Sequence, residues 1–177
     1  MLLIPLKRSL IIMVIFAAIC GVIYPLAALG VAQSAFSYQA NGSINRYGST
    51  LIGQNFTGSS WFHGRPDPYN PSSTGGSNLG PNSKVLYEKT KALIAFYESR
   101  GITPTQSLVV NSGSGLDPDI SVSAAYSQAA SVARARQLST SKVDQLVRSE
   151  TIGRQFGFLG SPYVNVLALN VALSKIK

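Results

Sequence analysis

Three places in this chain hold residues whose types and spacing could do chemistry. The first is Ser112-Gly113-Ser114-Gly115 with Asp117 and Asp119 just beyond it. The second is His63, the only histidine, set between Trp61-Phe62 and Gly64-Arg65-Pro66. The third is Gly75-Gly76 followed by Asn78 and Gly80. A serine between glycines suggests a nucleophile elbow, which needs a histidine base and a carboxylate to orient it. Here the sole candidate base, His63, precedes the serines in the chain and has no neighbouring acid. A phosphate loop needs backbone amides around the phosphate with a lysine behind them. No Gly-Lys-Ser/Thr follows Gly115, and Pro81 stands where the lysine would follow Gly75 and Gly80. Gly113-Ser114-Gly115 also lacks the third glycine of a dinucleotide fingerprint. Asp117 and Asp119 lie beside prolines ahead of a helix start and read as caps, not as paired catalytic carboxylates. One cysteine and one histidine leave no zinc spacing and no internal disulfide. Arg65 is open to two readings, a contact to an acidic partner or to carbonyls of its own chain.

These residues follow a long apolar run, Ser9 to Ala32, preceded by Lys7 and Arg8. It carries no charge, and none appears again until Arg46. Roughly 23 residues at about 1.5 Å each cross a hydrocarbon core of about 30 Å. The run therefore reads as a single transmembrane helix; it is longer than the h-region of a cleaved signal, although Gly30-Val31-Ala32 loosely resembles a cleavage site. The positive-inside bias puts residues 1–8 in the cytoplasm and everything beyond the helix outside it. Ala17 and Gly21, and again Ala28 and Ala32, are four apart, a spacing that lets a second membrane helix approach closely.

The remainder is one domain's worth of chain, with residues 33–50 as a connector and 51–177 as an α+β extracytoplasmic domain. The chain has 15 basic residues, of which Lys7 and Arg8 precede the span, so 13 face the 7 acidic residues beyond it. The cations are scattered and the chain is membrane-anchored, which argues for a solvated basic surface and against nucleic acid. Leu51 to Phe56 reads as a short strand. Trp61 to Ser83, with four prolines and four glycines, has no periodicity over more than twenty residues, the mark of a partner-binding loop. Ser83 to Gly101 has helical spacing, and Ser107 to Val110 reads as a second strand. Ser121 or Ser123 caps a helix over Val122–Leu138, and Ser139 to Ser141 caps another over Lys142–Thr151. These three helices are expected to supply most of the core. The C-terminus, from Tyr163, reads as a strand-like start passing into a helix.

Taken together, the N-terminal anchor, Leu51-Ile52-Gly53-Gln54-Asn55-Phe56, the Trp61–Pro66 group, Ser72–Ser83, Asn111–Ser121, the Val132–Leu138 segment and Phe156–Leu173 resemble the KdpC family, the C subunits of Kdp potassium-transporting P-type ATPases. The resemblance covers nearly the whole chain. It implies a non-catalytic subunit in the bacterial cytoplasmic membrane, single-pass, with its C-terminal domain outside. Its partners would be a channel-like potassium-translocating subunit, a P-type ATPase subunit and a small membrane subunit. Its task would be assembling or stabilising that complex and influencing potassium entry, with ATP and potassium handled by the complex. Family descriptions attach ATP binding to the C subunit, whereas the exterior placement and failed nucleotide signatures argue against it here. The expected partner contacts are Ala17, Gly21, Ala28 and Ala32 in the helix, with Trp61, Arg65, Gly75, Gly76, Asn78, Ser112, Gly113, Ser114, Gly115 and Asp117 in the loops. The alternative is a membrane-anchored extracytoplasmic hydrolase using His63 and a serine.

Overall fold

The computed structural model describes residues 3–176; Met1 and Leu2 of the expected cytoplasmic 1–8 segment, and Lys177, lie outside the described residues. The chain divides into two compact units, one ending at Ile44 and one beginning at Asn45.

The first unit is a long helix and its exit. α1 (Leu3–Ala18) and α2 (Tyr24–Ala35) are joined without a break by a π-helical turn, Ile19–Ile23. Pro25 explains the turn. Proline has no N–H to give and its ring crowds the carbonyl one turn back, so the ladder shifts before it. The shift is visible at Tyr24, whose N–H donates to Ile19 O, five residues back. Helix of sufficient length and apolarity to cross a membrane runs over Ile4–Ala35, longer at both ends than the expected 9–32. Its described side chains are almost all exposed, as lipid-facing residues of a single span must be. α3 (Ser37–Ala40) follows, and β1 (Ile44–Asn45) and β2 (Gly48–Ser49) mark the passage into the second unit.

The second unit is α+β. β3 (Asp119–Ser121), β4 (Thr151–Ile152) and β5 (Tyr163–Asn165) form an antiparallel sheet in the order β3-β5-β4, with Ile120 opposite Val164 and Thr151 opposite the same Val164. α6 (Val122–Arg136) and α7 (Thr140–Ser149) pack on each other, and α8 (Val166–Ser174) packs on α7. Alanines 124, 125, 129 and 133 of α6 are buried, and their small size lets the backbones approach. Val143 and Val147 of α7 meet them in the core, together with Leu108, Ile120, Val164, Leu169 and Leu173. Serine caps start the helices, as expected at Ser121, whose Oγ accepts from Ala124 N, and at Ser139, whose Oγ accepts from Lys142 N, and also at Ser83, whose Oγ accepts from Leu86 N. The strand-to-helix passage at the C-terminus is present, and Asn165 manages it. Its Oδ1 accepts from Ala168 N to cap α8, while its Nδ2 donates to Asp119 Oδ1 and Thr50 O.

Three expectations are corrected. Leu51 to Phe56 is not a strand: Leu51 is 62% exposed, the chain turns at Leu51 and Ile52, and Gly53 N–H donates to Leu116 O. Ser107 to Val110 lies in a short helix, α5 (Gln106–Val109), with adjacent Ser107 and Leu108 both buried. A strand would send those two side chains to opposite faces. The core draws less on α4 (Lys84–Glu98), which buries only Tyr97, and more on α8, which buries Val166, Leu167, Leu169, Asn170 and Leu173. Apolar residues surround α8 on all sides, the pattern of a buried helix.

Two polar residues in this core hold the entrance to the long loop. Asn170 and Gln128 are each 1% exposed. Asn170 Oδ1 accepts from Phe62 N and its Nδ2 donates to Phe62 O, both at 2.9 Å. Gln128 repeats the arrangement one residue on, accepting from His63 N at 2.8 Å and donating to His63 O at 3.1 Å. The two amides supply what a neighbouring strand would have supplied, and Phe62 is fully buried as a result. Replacing Asn170 by Ala strands two backbone groups in the core, so chemical denaturation of N170A should show a loss of about 2–6 kcal/mol, at roughly 1–3 kcal/mol per orphaned group. A loss under about 1 kcal/mol would mean water replaces the amide.

Candidate functional site

Residues from Phe62 to Leu79 contain no regular element, so their polar groups must find partners elsewhere. Most lead to Asp67. This carboxylate is 9% exposed. Its Oδ1 accepts from Ser112 N at 2.8 Å and more distantly from Asn111 Nδ2, at 3.4 Å. Its Oδ2 accepts from Ser112 Oγ at 2.6 Å and from Asp117 N at 3.3 Å. Ser112 Oγ in turn accepts from Gly115 N at 2.9 Å. The serine-glycine turn therefore does form a cradle of donors suited to an anion, and the chain's own carboxylate fills it.

Further bonds close the knot. Asn111 Nδ2 donates to Pro66 O, Tyr69 N to Gly115 O, and Gly75 N to Ser114 O at 2.7 Å. Tyr69 Oη donates to Arg65 O at 2.6 Å, and burial, reinforced by the nearby Asp67 charge, holds this phenol well above the ordinary tyrosine range. Two glycines are required by space. A Cβ on Gly53 would lie 2.6 Å from Tyr69 Cε1 and 2.7 Å from Asp117 O. One on Gly115, already at φ +70, would meet Gly75 O at 2.6 Å.

Arg65 resolves inward. Its Nε lies 2.8 Å from Asp117 Oδ2, an ion pair within the chain. Asp117 is thus not a helix cap, and neither is Asp119, which accepts from Asn165; Ser121 caps the helix instead. Of the expected partner contacts, Gly75, Asn78, Gly113 and Ser114 are exposed, while Gly76 is half-buried against Ser112 and Gly113. Gly115 is buried, and Ser112, Arg65 and Asp117 are half-buried and engaged with this same knot. Trp61 is half-buried, with the Arg136 guanidinium 4.3 Å over its ring and Arg136 Nε donating to Ser60 O. In the other unit Ala17, Gly21 and Ala28 are exposed and Ala32 is half-buried. A Cβ on Gly21 would meet nothing within 4 Å.

The parts of a hydrolase are present without its arrangement. His63 Nε2 bonds Gly58 O at 2.9 Å, so it carries the proton there, and the ring packs against Phe96 and Tyr97. The cleft of about 390 Å³ beside it is lined by His63, Arg65, Asp67, Tyr69 and Tyr97 but by neither Ser112 nor Ser114. Among the described residues no cluster of His, Cys, Asp and Glu is placed to hold a metal. Asp67, Gln128 and Asn170 are the organising residues that sequence reasoning missed. The signal for Asp67 was its place between two prolines in the Gly64–Tyr69 segment; a buried Gln on the alanine face of α6 was the signal for Gln128.

A family model described as "KdpC: K+-transporting ATPase, c chain" matches residues 6–175. Similar curated proteins carry the name potassium-transporting ATPase KdpC subunit. One from Gloeobacter violaceus is 48% identical over 89% of each chain. Another from Burkholderia ambifaria is 47% identical over 94% of each, and one from Paraburkholderia phytofirmans 44% over 97% of this chain and 96% of its own.

Removing the Asp67 carboxylate frees four donors at once. In D67A, the amides of Ser112 and Asp117 should exchange with deuterium at least tenfold faster while core amides of α6 keep their protection; unchanged exchange at both would show that the knot does not depend on Asp67. Asp119 offers a pH test. Burial raises its pKa above the ordinary 3.8, so the folded state holds the proton more tightly than the unfolded one. Stability from this group is therefore full below pH 3.8 and declines as pH rises through the folded value. D119N, which still accepts from Asn165, should remove that part of the decline in a denaturation series from pH 3 to 7.

Proposed function

Since the chain belongs to the KdpC family, the c chains of K+-transporting ATPases, we propose that it is the non-catalytic accessory subunit of such a complex. It assembles or stabilises a channel-like potassium-translocating subunit, a P-type ATPase subunit and a small membrane subunit, and influences potassium entry. The observation that carries this reading is the filled cradle. The donor cradle of the serine-glycine turn is closed by Asp67, so these glycine and serine residues maintain a loop surface instead of holding a ligand. This supports a chain that binds no ATP itself, with nucleotide and potassium handled by the other subunits. The helix over Ile4–Ala35 anchors it in the bacterial cytoplasmic membrane. Lys7 and Arg8 support a cytoplasmic N-terminus and an extracytoplasmic second unit, by the charge bias of short flanking segments.

The membrane helix supplies the test, because Gly21 has no neighbour within this chain that a larger side chain could disturb. Gly21 also lies inside the π-helical turn, where the helix surface departs from regular spacing. G21L should leave membrane insertion intact and reduce co-purification of the other three subunits by roughly tenfold, the equivalent of about 1.4 kcal/mol of lost helix packing. Undiminished recovery of the complex from detergent would reduce the helix to a tether. Failure of the wild-type chain to co-purify with any transport subunit would overturn the accessory-subunit reading.

A further inference from the structure

Between β4 and β5 the chain makes a hairpin that the loop knot does not use. Gln155 N donates to Leu159 O, Leu159 N and Phe158 N donate to Gln155 O, and Gly157 N donates to Arg154 O. Four backbone bonds thus define one tip of five residues. On it Phe156 is 86% exposed, Phe158 69% and Leu159 47%, with Ile152 at 44% on the adjoining strand. Large apolar side chains grouped this way mark a contact surface, whereas scattered ones need no explanation.

The backbone strengthens the case. Phe156 and Gly157 are consecutive residues in the left-handed region, at φ 52 and 81. Glycine, asparagine or aspartate suits the first of these positions, and a bulky residue there is disfavoured by its Cβ. Phe156 gains no packing within its own chain in return, being the most exposed of the described large apolar residues. A local preference broken without an internal gain points to a function for the ring.

We infer that the Phe156–Leu159 tip is a preformed plug that docks into an apolar cleft with an acidic rim on another subunit of the complex. Charge sets the rim: Arg154 is the only ionisable residue between Thr151 and Pro162 and it is exposed, whereas the nearest acid in the chain, Glu150, is half-buried before the strand. Area argues against a second copy of this chain. The two rings of the tip offer about 300–500 Å², taking aromatic side chains at roughly 150–250 Å² each, against the roughly 800 Å² per partner of a stable interface. Such a contact suffices only where another attachment already joins the partners, which the membrane helix provides. Rigidity argues against lipid, since a fluid bilayer rewards apolar area but not one fixed turn.

This inference rests on the accessory-subunit reading, and its test separates the two. A photoreactive phenylalanine analogue is placed at 158 in the full chain, co-expressed with the other subunits and irradiated in native membranes. Crosslinking to a transport subunit is the expected result, with the F156N/F158S double variant losing about tenfold in retention on the detergent-washed complex while the chain stays folded by circular dichroism. Adducts to lipid alone, to a second copy of this chain, or to nothing would overturn the plug. In all of these outcomes, wild-type co-purification reports separately on whether the chain belongs in the assembly.

Discussion

A loop of more than a dozen residues cannot lie against a protein core unless each of its buried backbone groups finds a hydrogen-bond partner, and this requirement organises the second unit. The chain meets it with side chains instead of strands. Asn170 and Gln128, contributed by two different helices, each grip one residue's N–H and C=O together. Those four bonds draw Phe62 into the core and set the direction in which the loop leaves it. Without them, α6 and α8 would still be helices, but the segment from Trp61 onward would have no fixed origin.

From that origin the loop reaches Asp67, where electrostatics take over from packing. A carboxylate that accepts from two backbone amides, a hydroxyl and a side-chain amide is held as a phosphate would be held in a nucleotide loop. The same geometry thus serves shape in this chain. Arg65 and Asp117 add a second tie across the two loops, close to the first. What solvent meets is the outer edge of this knot: Gly75, Asn78, Gly113 and Ser114. Such a surface is rigid and nearly uncharged, suited to lying against another protein without a large ordering cost.

The two ends of the chain use opposite strategies for apolar residues. In the N-terminal helix they face outward along the whole length, and the hydrocarbon of a bilayer accounts for them. In α8 most of them face inward, Val166, Leu167, Leu169 and Leu173 being buried, and the domain's core accounts for them. The hairpin at Phe156–Leu159 exposes grouped apolar side chains with neither explanation.

Much of this was legible in the residues themselves. An uncharged run of this length has only one stable environment, because each charge left out lowers the cost of the hydrocarbon core. Serine caps and 3.6-residue spacing marked α4, α6 and α7, since both signals act within one turn. Short segments were where local reasoning failed. Four residues such as Ser107–Val110 are too few to separate a period of two from one of 3.6, and in Leu51–Phe56 the backbone of Gly53 bonds Leu116 and packs against Tyr69 and Asp117 instead of a neighbouring strand. Which residues the knot joins lay beyond any local signal. Asp67 meets Ser112 across 45 positions, Gln128 meets His63 across 65, and Asn170 meets Phe62 across 108. Propensity and periodicity act over a few residues, whereas these bonds exist only once α6, α8 and the two loops have been brought together, so tertiary structure alone decided which polar residues build the site.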